Sequence, residues 1–193
     1  MSAEQWAGMM RGDESYAGAS SYYNMKESVY DLTGMPYFFP THQGRAGERI
    51  LYTILGGKNK IFLSNTHFDT TRANIEYSGA EAIDIPIEEG LIPSLYHPFK
   101  GNMDVKKLNA LIDLKGSENI GAVIITVTNN SGGGQPVSLQ NIKEISKICK
   151  AKNVKLILDC CRIAENAYFI KEREKEYENL SCKEIAQQIF SLC

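Results

Sequence analysis

Two apolar periodicities alternate along residues 44–163 of the sequence. Short apolar runs predict strands at 60–64, 121–127 and 154–159, and alternation of apolar and polar residues predicts one at 81–85. Between the runs, apolar positions recur three and four residues apart, which predicts helices. The helical segments are 48–55, 70–77, 105–115 and 139–150. This repeated alternation indicates an α/β fold with a mostly parallel sheet and helix crossovers.

The regions on either side of this alternation are less regular. Residues 1–40 are rich in aromatic side chains and largely irregular, with one short helix predicted at 25–32. Two more helices are predicted, one from about residue 163 and one at 183–190. We therefore expect one α/β domain over 41–193, preceded by a segment with too little periodicity to be a domain of its own.

The composition argues against several classes of partner and location. Lys and Arg together number 21 and Asp and Glu 23, so no bulk charge favours nucleic acid or an anionic membrane. No apolar run approaches the roughly 18 residues that span a bilayer, and the first residues lack the basic region of a secretion signal. The 5 cysteines are odd in number and contain no Cys-x-x-Cys pair. We therefore expect reduced thiols in the cytoplasm rather than disulfides or a zinc site.

The most informative strand is 154–159, an apolar run that ends abruptly in Asp159. The carboxyl ends of strands are where open α/β sheets bind ligands. A buried carboxylate needs a cationic partner, because otherwise it takes up a proton. A protonated ring nitrogen of a cofactor would be such a partner. Two structural alternatives stay open, in which Asp159 caps the next helix or pairs with Arg162.

The segment 41–47 has the composition of a phosphate-binding turn. Small residues leave backbone N–H groups accessible at the start of a predicted helix, where those groups and the helix dipole hold phosphate. Gln43 and Arg45 add side-chain donors, and the Arg45 guanidinium can bind an anion through two hydrogen bonds. The alternative is an ordinary helix start with a surface arginine.

Two polar clusters follow other predicted strands. Phe68 can stack on a flat ring, with the polar residues 69–71 beside it; the alternative is a core phenylalanine followed by helix-capping residues. Asn130 precedes three glycines at 132–134 and can hydrogen-bond a ligand oxygen, although the segment is also compatible with a flexible loop.

Near the start of the chain, Tyr16 lies in an acidic, glycine-bounded turn and is a candidate proton donor. Phosphate donors, a stacking ring, an oxygen ligand and a carboxylate for a ring nitrogen are together what pyridoxal phosphate requires.

Four stretches of the sequence resemble the β-eliminating lyases, the family of tryptophanase and tyrosine phenol-lyase. They are residues 9–18, 40–45, 133–138 and 164–171. The resemblance implies the aspartate aminotransferase-like fold (fold type I) of pyridoxal-phosphate enzymes. It also implies that 1–40 is an aromatic-rich interface segment and 41–193 part of the pyridoxal-phosphate-binding large domain.

The same resemblance implies roles for the cofactor-binding residues. Gln43, Gly44 and Arg45 match the phosphate-binding turn. Phe68 matches the aromatic residue stacked on the cofactor ring, and Asp159 matches the carboxylate on the pyridine nitrogen.

The remaining implied roles concern the substrate and the subunit interface. Asn130 and Arg162 match residues near the phenolic oxygen of the cofactor, and Asn130 also matches one near the substrate carboxylate. Tyr16 matches a tyrosine, lent by the neighbouring subunit, that is implicated in protonating the leaving group. Glu14 matches a ligand of a potassium-type ion at that interface. Asp69 resembles the tryptophanase branch, because the phenol-lyases tend to carry threonine there.

The implied activity is a carbon–carbon lyase reaction in a homo-oligomer, which cleaves tryptophan to indole, pyruvate and ammonia. One alternative is a tyrosine phenol-lyase-like activity. Another is an inactive fragment, because the family's Schiff-base lysine follows the last helix in a Ser-x-Lys-Lys context that does not occur in the sequence before Cys193. We therefore expect residues 1–193 alone to bind the cofactor weakly and not to turn over.

Overall fold

The predicted alternation of strands and helices is present in the computed structural model, which describes residues 1–13 and 18–193. Four parallel strands form one sheet in the order β2-β1-β3-β4. The α/β fold class predicted from the sequence is therefore confirmed. The strands are β1 (Ile61–Ser64), β2 (Glu81–Asp84), β3 (Ile120–Thr126) and β4 (Leu156–Asp159).

The helices that follow residue 40 agree with the sequence periodicity to within a few residues. The largest difference is at the first of them, which begins four residues before the predicted position 48, since its glycine-rich start gives no apolar signal. They are α3 (Gly44–Leu55), α4 (Asp69–Tyr77), α5 (Val105–Lys115), α6 (Leu139–Ala151), α7 (Ile163–Arg173) and α8 (Cys182–Phe190).

The chain divides into two compact units, Met1–Pro40 and Thr41–Cys193. The first unit contains α1 (Ala3–Met10) and α2 (Ser20–Thr33), so it is more helical than the sequence predicted. The helix expected at 25–32 begins earlier, because its first turn is polar and carries no apolar periodicity. The roles expected for the two units stay predictions.

The core lies around β3, which is buried along its whole length because strands pair with it on both sides. On one face of the sheet Tyr52 of α3 packs edge-on against Phe62 of β1, with ring centroids 5.3 Å apart. The strand β4 differs from the prediction of a buried strand. Its residues are only half-buried, because in the described sheet it is an edge strand with a neighbour on one side.

Buried amides fix the loops at the carboxyl ends of the strands. Asn65, just after β1, donates to the carbonyl of Thr126 (3.0 Å) and accepts from its backbone N–H (3.0 Å). Asn166 of α7 makes the same pair of bonds with Val137, at 2.9 and 3.0 Å. These bonds hold the ends of β1 and β3 together and fix the loop that follows β3. Within the described ranges, no helix has both the length and the apolar character needed to cross a bilayer.

Candidate functional site

A cleft of about 810 Å³ lies at the carboxyl end of β4, between the start of α3 and the loops that follow β1 and β3. Seven of the ten predicted site residues line it, so Arg45 and Asp159 face one common space. The seven are Gln43, Gly44, Arg45, Phe68, Asn130, Asp159 and Arg162. A second concavity of similar volume lies at the amino ends of β1 and β2 and contains none of the predicted residues.

The start of α3 supplies unsatisfied hydrogen-bond donors to the cleft. Gln43 is the N-cap residue, and no side chain caps the helix. The first backbone N–H groups of a helix have no intrahelical partner, and Gly44 adds no side chain that would cover them. Arg45 is exposed, and within the described ranges its guanidinium makes no ion pair. This end of α3 can therefore hold a phosphate through N–H groups, the helix dipole and one arginine.

Phe68 lies at the N-cap position of α4 and is 37% exposed. It is therefore not the core phenylalanine of the structural alternative, and its ring faces the cleft. The neighbouring Asp69 does not line the cleft. Its carboxylate accepts a hydrogen bond from the adjacent backbone N–H of Thr70 (2.6 Å), but no side chain caps α4, so the helix-capping alternative for this cluster is not seen either.

A hydrogen-bonded group at the end of β2 holds the residue before Phe68: the His67 side chain is buried, while Asp84 and Arg72 are partly exposed. The carboxylate of Asp84 accepts hydrogen bonds from the backbone N–H (2.8 Å) and from Nδ1 (2.6 Å) of His67. It also accepts one from Arg72 (2.6 Å). Although burial acts to raise it, the hydrogen bonds from His67 and the charge of Arg72 hold the pKa of Asp84 below its usual value. The backbone just before Phe68 is thus fixed to the end of β2.

Asp159 ends β4 without a cationic partner in the described part of the chain. The Thr126 hydroxyl donates to it only over a long 3.5 Å. No side chain caps α7, and no Asp159–Arg162 ion pair forms. Burial raises the pKa of Asp159, and the nearby charge of Glu48 adds to this, while hydrogen bonds from Cys161 and Thr126 only partly oppose the shift. Both structural alternatives for this carboxylate were wrong, and a bound cation would satisfy it.

Arg162 is paired with Asn130 instead. Its guanidinium donates to the side-chain oxygen of Asn130 over 2.7 Å. This bond joins the loop after β3 to the turn after β4, where Arg162 lines the cleft. Ser131 donates to the carbonyl of His67 (3.0 Å), so the loop after β3 also contacts the loop after β1.

Among the cleft residues that sequence reasoning missed are two polar ones on α3. Glu48 and Tyr52 lie one turn apart, and both line the cleft. Burial, and then the charges of Glu48 and Asp159, raise the pKa of the Tyr52 hydroxyl. A glutamate in an amphipathic helix normally faces solvent, so the sequence carried no signal that Glu48 turns inward.

Two predicted residues, Glu14 and Tyr16, lie outside the described residues. In the ranges that the structure does describe, no group of three His, Cys, Asp or Glu side chains is placed to hold a metal ion.

Comparison with known proteins gives the same family as the motifs. The family model "Beta-eliminating lyase" matches residues 1–193. The chain is 56% identical over 191 residues to the tryptophanase of Salinibacter ruber, covering 99% of this chain and 40% of that protein. It is 44% identical over 191 residues to the tyrosine phenol-lyase of Pasteurella multocida, covering 99% of this chain and 42% of that protein.

A solved structure supports the fold. A protein from Exiguobacterium sp. 255-15, described as an aromatic amino acid β-eliminating lyase/threonine aldolase, matches with a TM-score of 0.60 and 18% identity. The match covers 92% of this chain and 44% of that one. At this identity the likeness concerns the fold alone. The chain spans about two fifths of the length of the tryptophanase and the phenol-lyase that it matches.

Proposed function

This chain belongs to the β-eliminating lyase family, and we propose that its cleft binds pyridoxal phosphate for β-elimination on an aromatic amino acid. The substrate that we propose is tryptophan, which is cleaved to indole, pyruvate and ammonia. The observation that carries the proposal is the convergence of seven predicted residues on one cleft. They come from parts of the sequence as far apart as Gln43 and Arg162.

The donor set fits the chemical groups of the cofactor. The start of α3 and Arg45 suit its phosphate, and the exposed ring of Phe68 suits its aromatic ring. Asp159, a half-buried carboxylate without a described cationic partner, suits a protonated ring nitrogen. When bound, pyridoxal phosphate supplies an electron sink for negative charge that develops on the substrate.

The chain's own residues would bind and orient that group. Asp159 would keep the proton on the ring nitrogen by pairing with it. Arg162, held by Asn130, would present its guanidinium to the phenolic oxygen. Phe68 would cover one face of the ring and exclude water from it.

We propose tryptophan and not tyrosine as the substrate for two reasons. The tryptophanase relative is 56% identical and the phenol-lyase relative 44%. In addition, Asp69 resembles the tryptophanase branch. A tyrosine phenol-lyase-like activity is the second candidate.

Other parts of the proposal rest on the family resemblance alone. We propose a homo-oligomer in which Tyr16 reaches a neighbouring subunit's substrate and Glu14 helps to bind a potassium-type ion. A reducing, cytoplasmic setting stays a prediction from cysteine usage.

Cofactor binding is tested first, with the full chain and 4-deoxypyridoxine 5-phosphate. This probe has the ring nitrogen, phenolic oxygen and phosphate of the cofactor but no aldehyde, so surface lysines cannot react with it. We expect Arg45→Ala to weaken binding roughly 10-fold or more, since a charge-assisted bond is worth about 1.5–3 kcal/mol. Arg49→Ala is the matched control, because Arg49 lies on the same helix and stacks on Tyr77 instead (3.6 Å to the ring centroid). Equal affinities of the two variants, or no binding by the unchanged chain, would refute the proposed phosphate site.

The reaction is tested in a hybrid in which residues 1–193 replace the matching segment of the Salinibacter ruber tryptophanase. We expect the hybrid to release indole from tryptophan, and Asp69→Thr to shift its preference towards tyrosine. Phenol release from tyrosine as the main activity of the unchanged hybrid would favour the second candidate. An inactive hybrid that still binds the probe would contradict the assignment of the reaction but not of the cofactor.

A further inference from the structure

Glu48 lies between the helix that carries Arg45 and the helix that begins after Phe68. It is on α3, three residues after Arg45, and its half-buried side chain lines the cleft. Its carboxylate makes no ion pair with any described residue. A half-buried carboxylate without a cation needs hydrogen-bond donors to be stable there.

Those donors come from the first turn and a half of α4. The Thr70 hydroxyl donates to Oε2 of Glu48 over 2.8 Å, and the Thr71 hydroxyl donates to Oε1. The side-chain amide of Asn74 lies at the limit of hydrogen-bonding distance from Oε2, at 3.5 Å. Both oxygens of Glu48 are therefore occupied by groups from the neighbouring helix.

The bridge joins two helix starts that have no side-chain caps of their own. Neither Gln43 at the start of α3 nor Phe68 at the start of α4 makes a capping side-chain bond. The Glu48 carboxylate lies against the first turn of α4, where the helix dipole favours a negative charge. It therefore fixes the helix that carries Arg45 relative to the helix that begins at Phe68.

We propose that Glu48 is a positioning residue, which sets the distance between the phosphate donors of α3 and the stacking ring of Phe68 by its hydrogen bonds to Thr70 and Thr71. This inference rests on the proposed function, because it assumes that one molecule of the cofactor spans Arg45 and Phe68. Its lone pairs are engaged by hydroxyl donors, so we assign it no proton transfer.

The test uses the full chain with 4-deoxypyridoxine 5-phosphate, followed by titration calorimetry and by the circular dichroism of the bound ring. We expect Glu48→Ala to weaken binding roughly 10-fold, the usual effect of losing hydrogen bonds to a charged group. At saturating probe its ring dichroism should also fall, since the ring is no longer held at one angle to Phe68. Thr53→Ala is the matched control, because the Thr53 hydroxyl bonds within α3, to the carbonyl of Arg49 (2.6 Å), and not to α4.

Rescue distinguishes positioning from charge. Glu48→Gln keeps one oxygen acceptor and offers an amide donor, to which a threonine hydroxyl can turn as acceptor. We expect its affinity to stay within about 3-fold of the unchanged chain. An affinity as low as that of Glu48→Ala would show that the charge matters and would overturn the bridge.

A mutant cycle of probe affinities provides a second test of the bridge. Thr70→Ala with Thr71→Ala should reproduce the loss seen in Glu48→Ala, and adding Glu48→Ala to that pair should cost little more. Additive losses would overturn the proposal. So would a Glu48→Ala variant that unfolds more easily yet binds the probe as the unchanged chain does. If the unchanged chain binds no probe, the proposed function itself fails; if it binds and Glu48→Ala binds equally, only the bridge fails.

Discussion

The half-buried carboxylate of Asp159 lowers the stability of the folded protein when it is ionised. Burial raises its pKa, so the folded chain holds this proton more tightly than the unfolded chain. Stability is then lost as pH rises from the ordinary value of 3.8 to the raised value of the folded state. We expect Asp159→Asn to be more stable than the unchanged chain above that window, with the difference growing as pH rises from 3.8 to the raised pKa of the folded state. Urea unfolding across this range measures it.

The same substitution should weaken probe binding roughly 10- to 100-fold, because the ring nitrogen loses a charged partner. The control is Asp113→Asn, which removes an exposed carboxylate of α5 that is paired with Lys152. A variant that is less stable at neutral pH, or that binds as tightly as before, would contradict the role given to Asp159.

The sequence could not predict which side chains of the site form hydrogen bonds with each other. Asp159 and the phosphate turn were identifiable because strand ends and glycine-rich helix starts are local patterns. The pairing of Arg162 with Asn130 depends on β3 lying beside β4, which no local pattern encodes. Glu48 was missed for the same reason, since its donors lie 22 and 23 positions away.

At the scale of elements, α7 supports the site through Asn166, a residue that does not line the cleft. Asn166 is fully buried and bonds both backbone groups of Val137, beyond the loop that carries Asn130. Asn166→Ala would leave a buried N–H and a buried carbonyl unsatisfied, each at about 1–3 kcal/mol. We expect a loss of unfolding free energy of roughly 2–4 kcal/mol, measured by urea denaturation. Asn109→Ala, on the surface of α5, should change it by less than about 0.5 kcal/mol, and equal losses would contradict this account.

After residue 40, two helix starts that a side chain caps were predicted well, whereas the capped start of α1 at Ser2 was missed. Ser138 accepts from the backbone N–H of Asn141, and Asp104 from that of Lys107, so both starts coincide with the pattern. The start of α3 was placed late because it is uncapped and rich in glycine. The feature that hides this helix start from sequence patterns is thus the one that leaves its N–H groups open.

At the scale of the whole molecule, the two edges of the sheet differ in chemistry. Edge strand β2 carries Glu81 and Asp84, whereas β4 presents three apolar residues, Leu156, Ile157 and Leu158, that are half-buried. Edge strands with apolar side chains can template pairing with other chains. We expect Leu156→Lys to reduce self-association of the isolated chain in sedimentation velocity, because charges on an edge oppose pairing. Leu114→Lys, which removes an exposed leucine from α5 (77% exposed), should have little effect. If Leu114→Lys reduced self-association more than Leu156→Lys does, the chains would associate through a surface other than β4.

The fold class followed from the order of periodicities, since alternating strands and helices allow few topologies. The edge position of β4 did not, because an apolar run of four residues is compatible with a central strand as well as with an edge.

The loops that meet at the cleft follow β1, β3 and β4, which are neighbours in space but lie far apart along the chain. A molecule seated there would join peptides that share no local contacts in the sequence. Deuterium uptake should therefore slow together in three separate proteolytic peptides when the probe is added, those containing Phe68, Asn130 and Asp159. Protection confined to one of them would mean that the guest occupies a corner of the cleft and does not span it.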